Sequence, residues 1–295
     1  MPGPSRAVLV TGCSSGIGEA VARRLAAAGH RVYATARRPE TLTELTSAGC
    51  HALALDVTEE ASMVAAVAAV EAEEGAVDVL VNNAGYSQSG PVETVPMESV
   101  RQQFETNVFG PMRLVQLCLP GMRRQGWGRV VNMSSMGGRL TFPGGGYYHA
   151  TKHALEALSD ALRFEVAGFG VDVVLVEPGL IRTRFSETAV GAMADGVADN
   201  GPYGRFTAQV AASTVSAYQH GGLARLGGTP DDVARVVERA IAARRPRPRY
   251  PVTPSARLLM GARALLPDRA WDALLRRSYP QPTQSGPVPS PPVPD

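Results

Sequence analysis

Residues 7–18 read AVLVTGCSSGIG, an apolar run that passes directly into a turn with three glycines. The next ten residues, 19–28, have a helical composition, and Gly29 ends them. Strand, glycine-rich turn and helix in this order let the backbone approach a pyrophosphate and offer it N–H groups at the positive end of a helix dipole. A turn that binds nothing is the alternative, but the strand-to-helix context favours a dinucleotide site. Its expected residues are Gly12, Ser14, Ser15, Gly16, Ile17 and Gly18.

Apolar runs of strand length recur along the chain, with helical segments between them. This alternation predicts an α/β fold, a doubly wound (Rossmann) sheet of seven mostly parallel strands with helices on both faces. Thr229-Pro230-Asp231-Asp232 marks a helix start, since a capping residue precedes proline and an acid. The predicted strands are Ala7–Thr11, Arg31–Ala36, Ala52–Asp56, Val77–Val81, Arg129–Met133, Val171–Val176 and Tyr250–Val252.

The end of the second run indicates which dinucleotide is bound. In such folds an acidic residue there reads the ribose 2′-hydroxyl, whereas an arginine accommodates a 2′-phosphate. Here Ala36 occupies the acidic position and Arg37-Arg38 follow. The sequence therefore favours NADP(H) over NAD(H), with two solvated arginines before Pro39 as the alternative.

Tyr148 and Lys152 are four residues apart, so on a helix they share a face, and Ser135 precedes them. A free tyrosine has a pKa of about 10, too high for proton exchange at neutral pH. A cation about 4 Å away is worth roughly 4 kcal/mol, or about 3 pKa units. We therefore expect the Tyr148 phenol to titrate near neutrality.

These motifs occur in one order along the chain: the glycine turn, Asn82-Asn83-Ala84-Gly85, Asn107, Ser135, Tyr148, Lys152 and Pro178-Gly179. In that order the sequence resembles the short-chain dehydrogenase/reductase family over about residues 6–265. It looks most like the hydroxysteroid and retinol dehydrogenase branch, where TGCSSGIG and YATARRPE are typical.

The resemblance implies a role for each matching residue. Ser135 would hold the substrate oxygen, Tyr148 would pass the proton, and Lys152 would lower the tyrosine pKa and bind the nicotinamide ribose. With Asn107 these three form the expected catalytic tetrad. The adenine would meet Asp56 and Val57. The rest of the cofactor would be lined by Asn83, Ala84, Gly85, Pro178, Gly179, Ile181 and Thr183.

Asn107 also has a physical argument of its own. Pro111 lacks the N–H that would bond the carbonyl of Asn107 in a helix. We expect Gly110-Pro111 to kink this helix and to present that carbonyl to a water, the start of a proton relay from the lysine to solvent. The alternative is that the proline ends one helix and begins another.

Residues 184–228 lose periodicity and are rich in glycine, which predicts a substrate lid inside the domain of residues 6–265. Packing of two short helices is the alternative for its aromatic side chains. A helical extension over residues 266–280 and a disordered Pro/Ser-rich tail over residues 281–295 are expected to follow. The candidate substrate residues are Tyr86, Ser135, Tyr147, Leu180, Phe185, Met193 and Phe206.

Composition limits the class of protein. The chain has 295 residues, 44% of them hydrophobic, a net charge of +2 and three well-separated cysteines. These values indicate a cytoplasmic enzyme with no nucleic-acid partner and no membrane span. His149 and His153 have metal-ligand spacing without a third ligand, so no metal site is expected. Arg244, Arg245, Arg247 and Arg249 are expected in a solvated turn.

The residues together predict an NADP(H)-dependent oxidoreductase that interconverts an alcohol and a ketone or aldehyde on a mainly apolar small molecule, steroid-, retinoid- or ketone-like. A homodimer or homotetramer is expected from the family. Two alternatives keep the fold: a regulator that binds NADP(H) without turnover, and an epimerase or dehydratase. The regulator is disfavoured because all four tetrad residues are present.

Overall fold

The computed structural model describes residues 5–183, 202–219, 222–279 and 281–282. Its centre is a seven-stranded sheet in the order β3-β2-β1-β4-β5-β6-β7, and every neighbouring pair is parallel. The doubly wound fold is thus confirmed. The strands are β1 Ala7–Val10, β2 Arg31–Ala36, β3 His51–Ala54, β4 Val79–Asn82, β5 Gly128–Met133, β6 Val171–Glu177 and β7 Arg249–Pro251.

Helices cover both faces of the sheet, which is why the central strands β1, β4 and β5 are buried throughout. The helices α1 and α8 pack on one face, and α3 and α5 pack on the other. The helices are α1 Gly16–Ala27, α2 Thr43–Ser47, α3 Glu60–Glu74, α4 Met97–Phe104, α5 Gly110–Gln125, α6 Gly146–Val166, α7 Gly204–Gln219, α8 Pro230–Ala242, α9 Pro254–Leu265 and α10 Asp268–Arg276.

The strand order reverses between β1 and β4, and this reversal creates the crevice of the fold. The chain continues from β1 towards β2 on one side, whereas β4 leads to β5 on the other. Segments that follow the two strands therefore diverge, and ligands of such sheets bind in the gap between them. The glycine turn follows β1, and Asn83-Ala84-Gly85 follow β4.

Part of the expected lid is a regular helix, so the expectation of lost periodicity over all of residues 184–228 is wrong. In α7 the residues Phe206, Val210, Thr214 and Tyr218 recur every four positions, and Val210 is buried. The glycines that flank this helix hid the pattern. Phe185 and Met193 lie outside the described residues.

Three further features of the described chain concern the expectations from sequence. The start of α8 is a capping box in which Thr229 and Asp232 bond each other's backbone N–H groups. Most of residues 266–280 forms the helix α10. No helix in the described part of the chain is long and apolar enough to cross a membrane.

The side chain of Thr11 links the two segments that form the crevice, one after β1 and one after β4. Its side chain is buried, and its Oγ1 accepts the N–H groups of Asn83 at 3.0 Å and Ala84 at 2.9 Å. Thr11→Val would keep the shape and leave both donors without this acceptor, so we expect the free energy of unfolding to fall by about 2 kcal/mol. Urea denaturation followed by circular dichroism measures it.

Thr35→Val is the matched control, since buried Thr35 makes one bond, to the carbonyl of Val10 at 3.0 Å. We expect it to cost about 1 kcal/mol or less. Equal losses in the two variants would show that the Thr11 hydroxyl is not a special link between β1 and β4.

Candidate active site

The glycine turn between β1 and α1 requires glycine for steric reasons. Gly12 has a φ of +71°, and a Cβ there would lie 2.9 Å from Cα of Ala84. A Cβ on Gly18 would lie 2.2 Å from the carbonyl oxygen of Gly12. Ser15, at the cap position of α1, makes no side-chain bond to the first turn. This cradle of bare backbone at a helix start fits a pyrophosphate.

The segment after β4 holds the turn in place. The side-chain amide of Asn83 donates to the carbonyls of Thr11 at 2.8 Å and Gly12 at 3.2 Å. Asn83 was expected to line the cofactor, and the structure uses its amide to brace the glycine turn. Thr11, which the motif analysis did not select, is the acceptor on the other side of this junction.

The adenosine end of the crevice carries the two predicted arginines. Ala36 is buried at the end of β2, while Arg37 and Arg38 are exposed and form no ion pair within the described chain. Asp56 uses one carboxylate oxygen on the backbone and hydroxyl of Thr58, at 2.9 and 2.8 Å. Val57 is buried beside Gly110, where a Cβ would lie 2.2 Å from the Val57 carbonyl oxygen.

The tetrad residues meet at the carboxyl end of the sheet. Ser135 follows β5 and hydrogen-bonds the side chain of Tyr148 near the start of α6. The ammonium of buried Lys152 lies 5.8 Å from the Tyr148 ring centre and donates to the carbonyl of Met133 at 2.8 Å. The phenol of Tyr148, the hydroxyl of Ser135 and the ammonium of Lys152 therefore lie close together.

The expected near-neutral pKa of Tyr148 is wrong for the chain by itself. Burial raises the pKa of Tyr148 to about 12, although the hydrogen bond from Ser135 lowers it. Burial also lowers the pKa of Lys152 to about 8, opposed by the nearby charge of Glu156. The sequence argument counted the attraction of the lysine and left out desolvation, which is the larger effect.

Asn107 is buried in a π-helical segment, Glu105–Phe109, that joins α4 to α5 without a break. Pro111 follows this π turn in the first turn of α5, where a missing N–H is tolerated. The Asn107 side chain pairs with the backbone of Tyr86, through Oδ1 at 3.1 Å and Nδ2 at 2.9 Å. Its Nδ2 also donates to Thr151 at 3.1 Å, and Thr151 donates to the carbonyl of Tyr148.

A buried polar chain fixes α6 against the sheet. Asn82 in β4 donates to Asn132 in β5 at 2.9 Å, and Asn132 donates to Ser159 in α6 at 2.8 Å. Sequence reasoning did not assign a role to Asn132, Ser159 or Thr151. The usable signal was a polar residue inside an otherwise apolar strand or helix face.

The segment of residues 178–183, which the family resemblance assigns to the cofactor, approaches both the C-terminal helices and the glycine turn. A Cβ on Gly179 would lie 2.2 Å from Oγ1 of Thr253, so only glycine fits there. Pro178 accepts a bond from the Met136 N–H at 2.9 Å. Ile181 is buried, and the Thr183 side chain lies 3.5 Å from a Cβ placed on Gly16. Thr183 thus reaches the cofactor cradle.

The candidate substrate residues occupy different settings. Tyr147 donates to the carbonyl of Val92 at 3.0 Å, and Leu180 is buried in a small apolar cluster with Met136 and Ala256. The Phe206 ring lies on α7, 6.3 Å from that of Tyr203. Tyr218 also lies on α7, and burial, together with the nearby Tyr148 hydroxyl, raises the pKa of its phenol.

A cleft of about 590 Å³ lies between the loop of residues 139–146 and the two C-terminal helices, whose part in it the sequence pattern did not indicate. Its apolar walls include Phe142, Met260 and Trp271. The described residues contain no group of three or more potential metal ligands. His149 is buried between Phe142 and Tyr148, which lowers its pKa to about 4, and His153 faces the carbonyl of His149 at 2.9 Å.

Comparison with known proteins places this geometry in a family. The family model described as short chain dehydrogenase matches residues 6–193. The uncharacterized oxidoreductase YusZ of Bacillus subtilis is 37% identical over 91% of this chain and 96% of its own. An NADPH-dependent 3-dehydrocapnine reductase of Ornithobacterium rhinotracheale is 35% identical over 95% of this chain and 99% of its own.

A solved structure agrees. The crystal structure of a short-chain dehydrogenase from Streptomyces avermitilis has a TM-score of 0.73 and 34% identity, covering 94% of this chain and 97% of that one. Because the family model spans the glycine turn and the tetrad, and near-full-length relatives share more than a third of its residues, this chain belongs to the short-chain dehydrogenase family.

Proposed function

We propose that this protein is an NADP(H)-dependent oxidoreductase that interconverts a secondary alcohol and a ketone, or a primary alcohol and an aldehyde, on a mainly apolar small molecule. One observation carries the proposal: Tyr148 is hydrogen-bonded to Ser135 and lies beside the buried ammonium of Lys152, at the crevice that contains the glycine cradle. Membership of an oxidoreductase family supports it.

Ser135, Tyr148 and Lys152 have different roles in the proposed carbonyl reduction. The reduced cofactor supplies the hydride when it is bound. Ser135 donates a hydrogen bond to the substrate oxygen, and Tyr148 gives that oxygen a proton. A phenol whose pKa is raised to about 12 is protonated at neutral pH but is a weaker acid than a free tyrosine, so proton transfer depends on a nearby positive charge that favours the phenolate. Lys152 stabilises the phenolate that remains, and Asn107, whose side chain bonds Tyr86 and Thr151, begins the proton relay to solvent.

The preference for NADP(H) rests on the residues at the adenosine end of the crevice. Arg37 and Arg38 are exposed at the end of β2 and form no ion pair within the described residues, so both guanidinium groups can meet a 2′-phosphate. A carboxylate that would read a 2′-hydroxyl is missing at Ala36. The NADPH dependence of the 3-dehydrocapnine reductase supports this assignment.

The apolar character of the proposed substrate rests on the side chains next to Ser135. Met136 and Leu180 belong to an apolar cluster against which Phe142, Tyr218 and Met260 pack. The cleft of about 590 Å³ adjoins this cluster through Phe142 and Met260, but none of the tetrad residues lines it, and its walls also carry Arg139, Arg263 and Asp272. An apolar cluster beside the reacting group favours a steroid-, retinoid- or ketone-like compound. The cysteines Cys13, Cys50 and Cys118 are all buried and free, which supports a reducing, cytoplasmic setting.

The first test removes the proton donor. Tyr148→Phe keeps the ring and deletes the hydroxyl, so we expect NADPH affinity within about twofold of wild type and a loss of turnover of at least about 100-fold. NADPH-dependent reduction of a panel of apolar ketones and aldehydes, followed at the absorbance of the reduced cofactor, measures it. Tyr250→Phe is the matched control and should keep wild-type turnover, because the Tyr250 hydroxyl accepts the N–H of Arg247 on the edge strand of the sheet.

Three outcomes distinguish the candidate activities. Net oxidation of NADPH supports the proposal, binding without turnover supports a regulator, and product without net cofactor change supports an epimerase or dehydratase. Turnover of Tyr148→Phe at a tenth of the wild-type rate would exclude Tyr148 as the acid.

The second test addresses the cofactor. Arg37→Ala should weaken NADPH binding by about 1.5–3 kcal/mol, roughly 10- to 150-fold, because charge-assisted bonds to phosphate are strong. NADH binding should change little. Arg245→Ala removes the same charge from an exposed position far along the chain and should leave both affinities unchanged. Fluorescence titration measures them, and equal losses for NADPH and NADH would refute a 2′-phosphate contact.

We also propose a dimer or tetramer formed through α4–α6. Phe109 is 55% exposed and Leu158 is 41% exposed, large apolar surfaces on the helices that carry the tetrad. Phe109→Glu combined with Leu158→Glu should convert the assembly to a monomer in sedimentation velocity at micromolar concentration. Leu265→Glu, at an 86% exposed position on α9, is the control and should leave it intact. A monomeric wild type would contradict the proposal.

A further inference from the structure

Behind the tetrad, at the ends of β6 and β7, lies a cluster of charged side chains that the proposed reaction does not use. Glu156 is 5% exposed and follows Lys152 by one helical turn, while Glu177, the last residue of β6, is 1% exposed. Carboxylates are rarely buried so deeply unless they are paired. The partners of these two groups therefore decide what the cluster does.

Arg249, the first residue of β7, is the main partner. Its Nε donates to Glu156 at 2.9 Å and lies 3.5 Å from Glu177, and its Nη2 donates to Asp160 at 2.6 Å. The expectation that Arg249 belongs to a solvated turn is therefore wrong, because its side chain is only 25% exposed. Asp160 is also paired with Arg163, at 2.6 Å.

The pairing of the two buried carboxylates is incomplete. Arg139 is half exposed and lies 3.7 Å from Glu177, an ion pair without a hydrogen bond. Oε1 of Glu156 and Oε1 of Glu177 have no hydrogen-bond partner among the described residues. Glu156 therefore uses only one of its two oxygens on Arg249, and the other can interact with a further positive charge.

Lys152 in turn lacks a direct counter-ion. Its ammonium donates to a neutral carbonyl, that of Met133, and it forms no salt bridge with the described chain. Glu156 lies four residues further along the same face of α6. Its stem also packs on the turn after Ser135, since a Cβ on Gly138 would lie 2.9 Å from Cγ of Glu156. Glu156 therefore lies against the turn after Ser135 and one helical turn from Lys152, with no salt bridge between the two side chains.

We propose that Glu156, held in place by Arg249, is the counter-charge that keeps Lys152 an ammonium, and is thus a positioning residue of the active site. The inference rests on the proposed function. Burial pulls the pKa of Lys152 down to about 8, and the Glu156 charge acts against that shift. Without Glu156 the lysine would lose its proton closer to neutral pH, and with it the ability to stabilise a phenolate.

The remaining titratable groups define what else can affect a pH profile. Burial and the neighbouring Glu156 raise the pKa of Glu177 to about 7, so Glu177 exchanges its proton below the range of Lys152. The pKa of Tyr148 lies above that range, at about 12. Ion pairs with Arg249 and Arg163 hold the pKa of Asp160 low. Because the pKa values of Glu177 and Lys152 lie close together, the same profiles are recorded in Glu177→Gln, where a basic limb that stays near pH 8 belongs to Lys152 and a limb that disappears would overturn the inference.

Glu156→Gln is the decisive variant. In the wild type, NADPH-dependent carbonyl reduction and NADPH affinity should both fall as the pH rises through about 8, where the ammonium is lost. The variant should move the basic limb of both pH profiles, that of the reduction rate and that of NADPH affinity, to lower pH by about one unit. This is the effect of removing one charge a helical turn away in a partly screened site. Glu156→Asp keeps the charge and should restore the wild-type limbs.

Asp160→Asn is the matched control, because it also breaks a bond to Arg249 but lies two turns from Lys152. It should leave both limbs in place. Unmoved limbs in Glu156→Gln, or an equal movement in Asp160→Asn, would overturn the inference and leave the cluster as a structural tie between β7 and α6.

Two safeguards keep the test decisive. If Glu156→Gln does not fold, Arg249→Gln removes the cation that competes for Glu156, and the limbs should then move to higher pH; unmoved limbs would overturn the inference. If the wild type reduces no carbonyl compound, the proposed function fails, whereas the pH dependence of NADPH affinity in the same variants still decides the role of Glu156.

Discussion

The join between β1 and β4 is the constraint on which the site depends. At the point where strand order reverses, the Thr11 hydroxyl accepts two N–H groups of the opposite segment, and the Asn83 amide returns a bond to the glycine turn. The same segment continues to Tyr86, which Asn107 holds through two bonds, and Asn107 also bonds Thr151 in α6. One continuous set of hydrogen bonds therefore connects the cofactor cradle to the catalytic helix.

Burial of the tetrad shifts the pKa values of its two titratable members, Tyr148 and Lys152, in opposite directions. Desolvation favours the neutral form of each group, so it raises the pKa of Tyr148 and lowers that of Lys152. A neutral phenol is the form that donates a proton to a reduced carbonyl, but a neutral lysine cannot stabilise the phenolate. In the proposed reaction, burial therefore keeps Tyr148 protonated but makes it a weaker acid, and it disfavours the charge of Lys152; the Glu156 carboxylate on the same helix acts against the second effect.

Sequence was sufficient for features in which each residue's role depends on its immediate neighbours. Strands buried on both faces are simple apolar runs, so all seven strands were located to within a few residues. Gly12 and Gly18 sit in a turn whose steric demands are local, and the capping box at Thr229 is contained in four residues. Tyr148 and Lys152 were found because helical spacing brings them together.

The rest depended on contacts that join distant parts of the chain. Arg249 reads as one of several arginines in a proline-rich turn, and only the β6–β7 pairing brings it to Glu156, 93 residues earlier. The sign of the Tyr148 shift depends on how much of the fold closes over the phenol, which spacing cannot give. Likewise, α9 and α10 carry no motif, yet they form one wall of the cleft. The walls of this cleft therefore have a weak sequence pattern, because packed apolar walls require only shape, whereas the tetrad motif requires particular residue types.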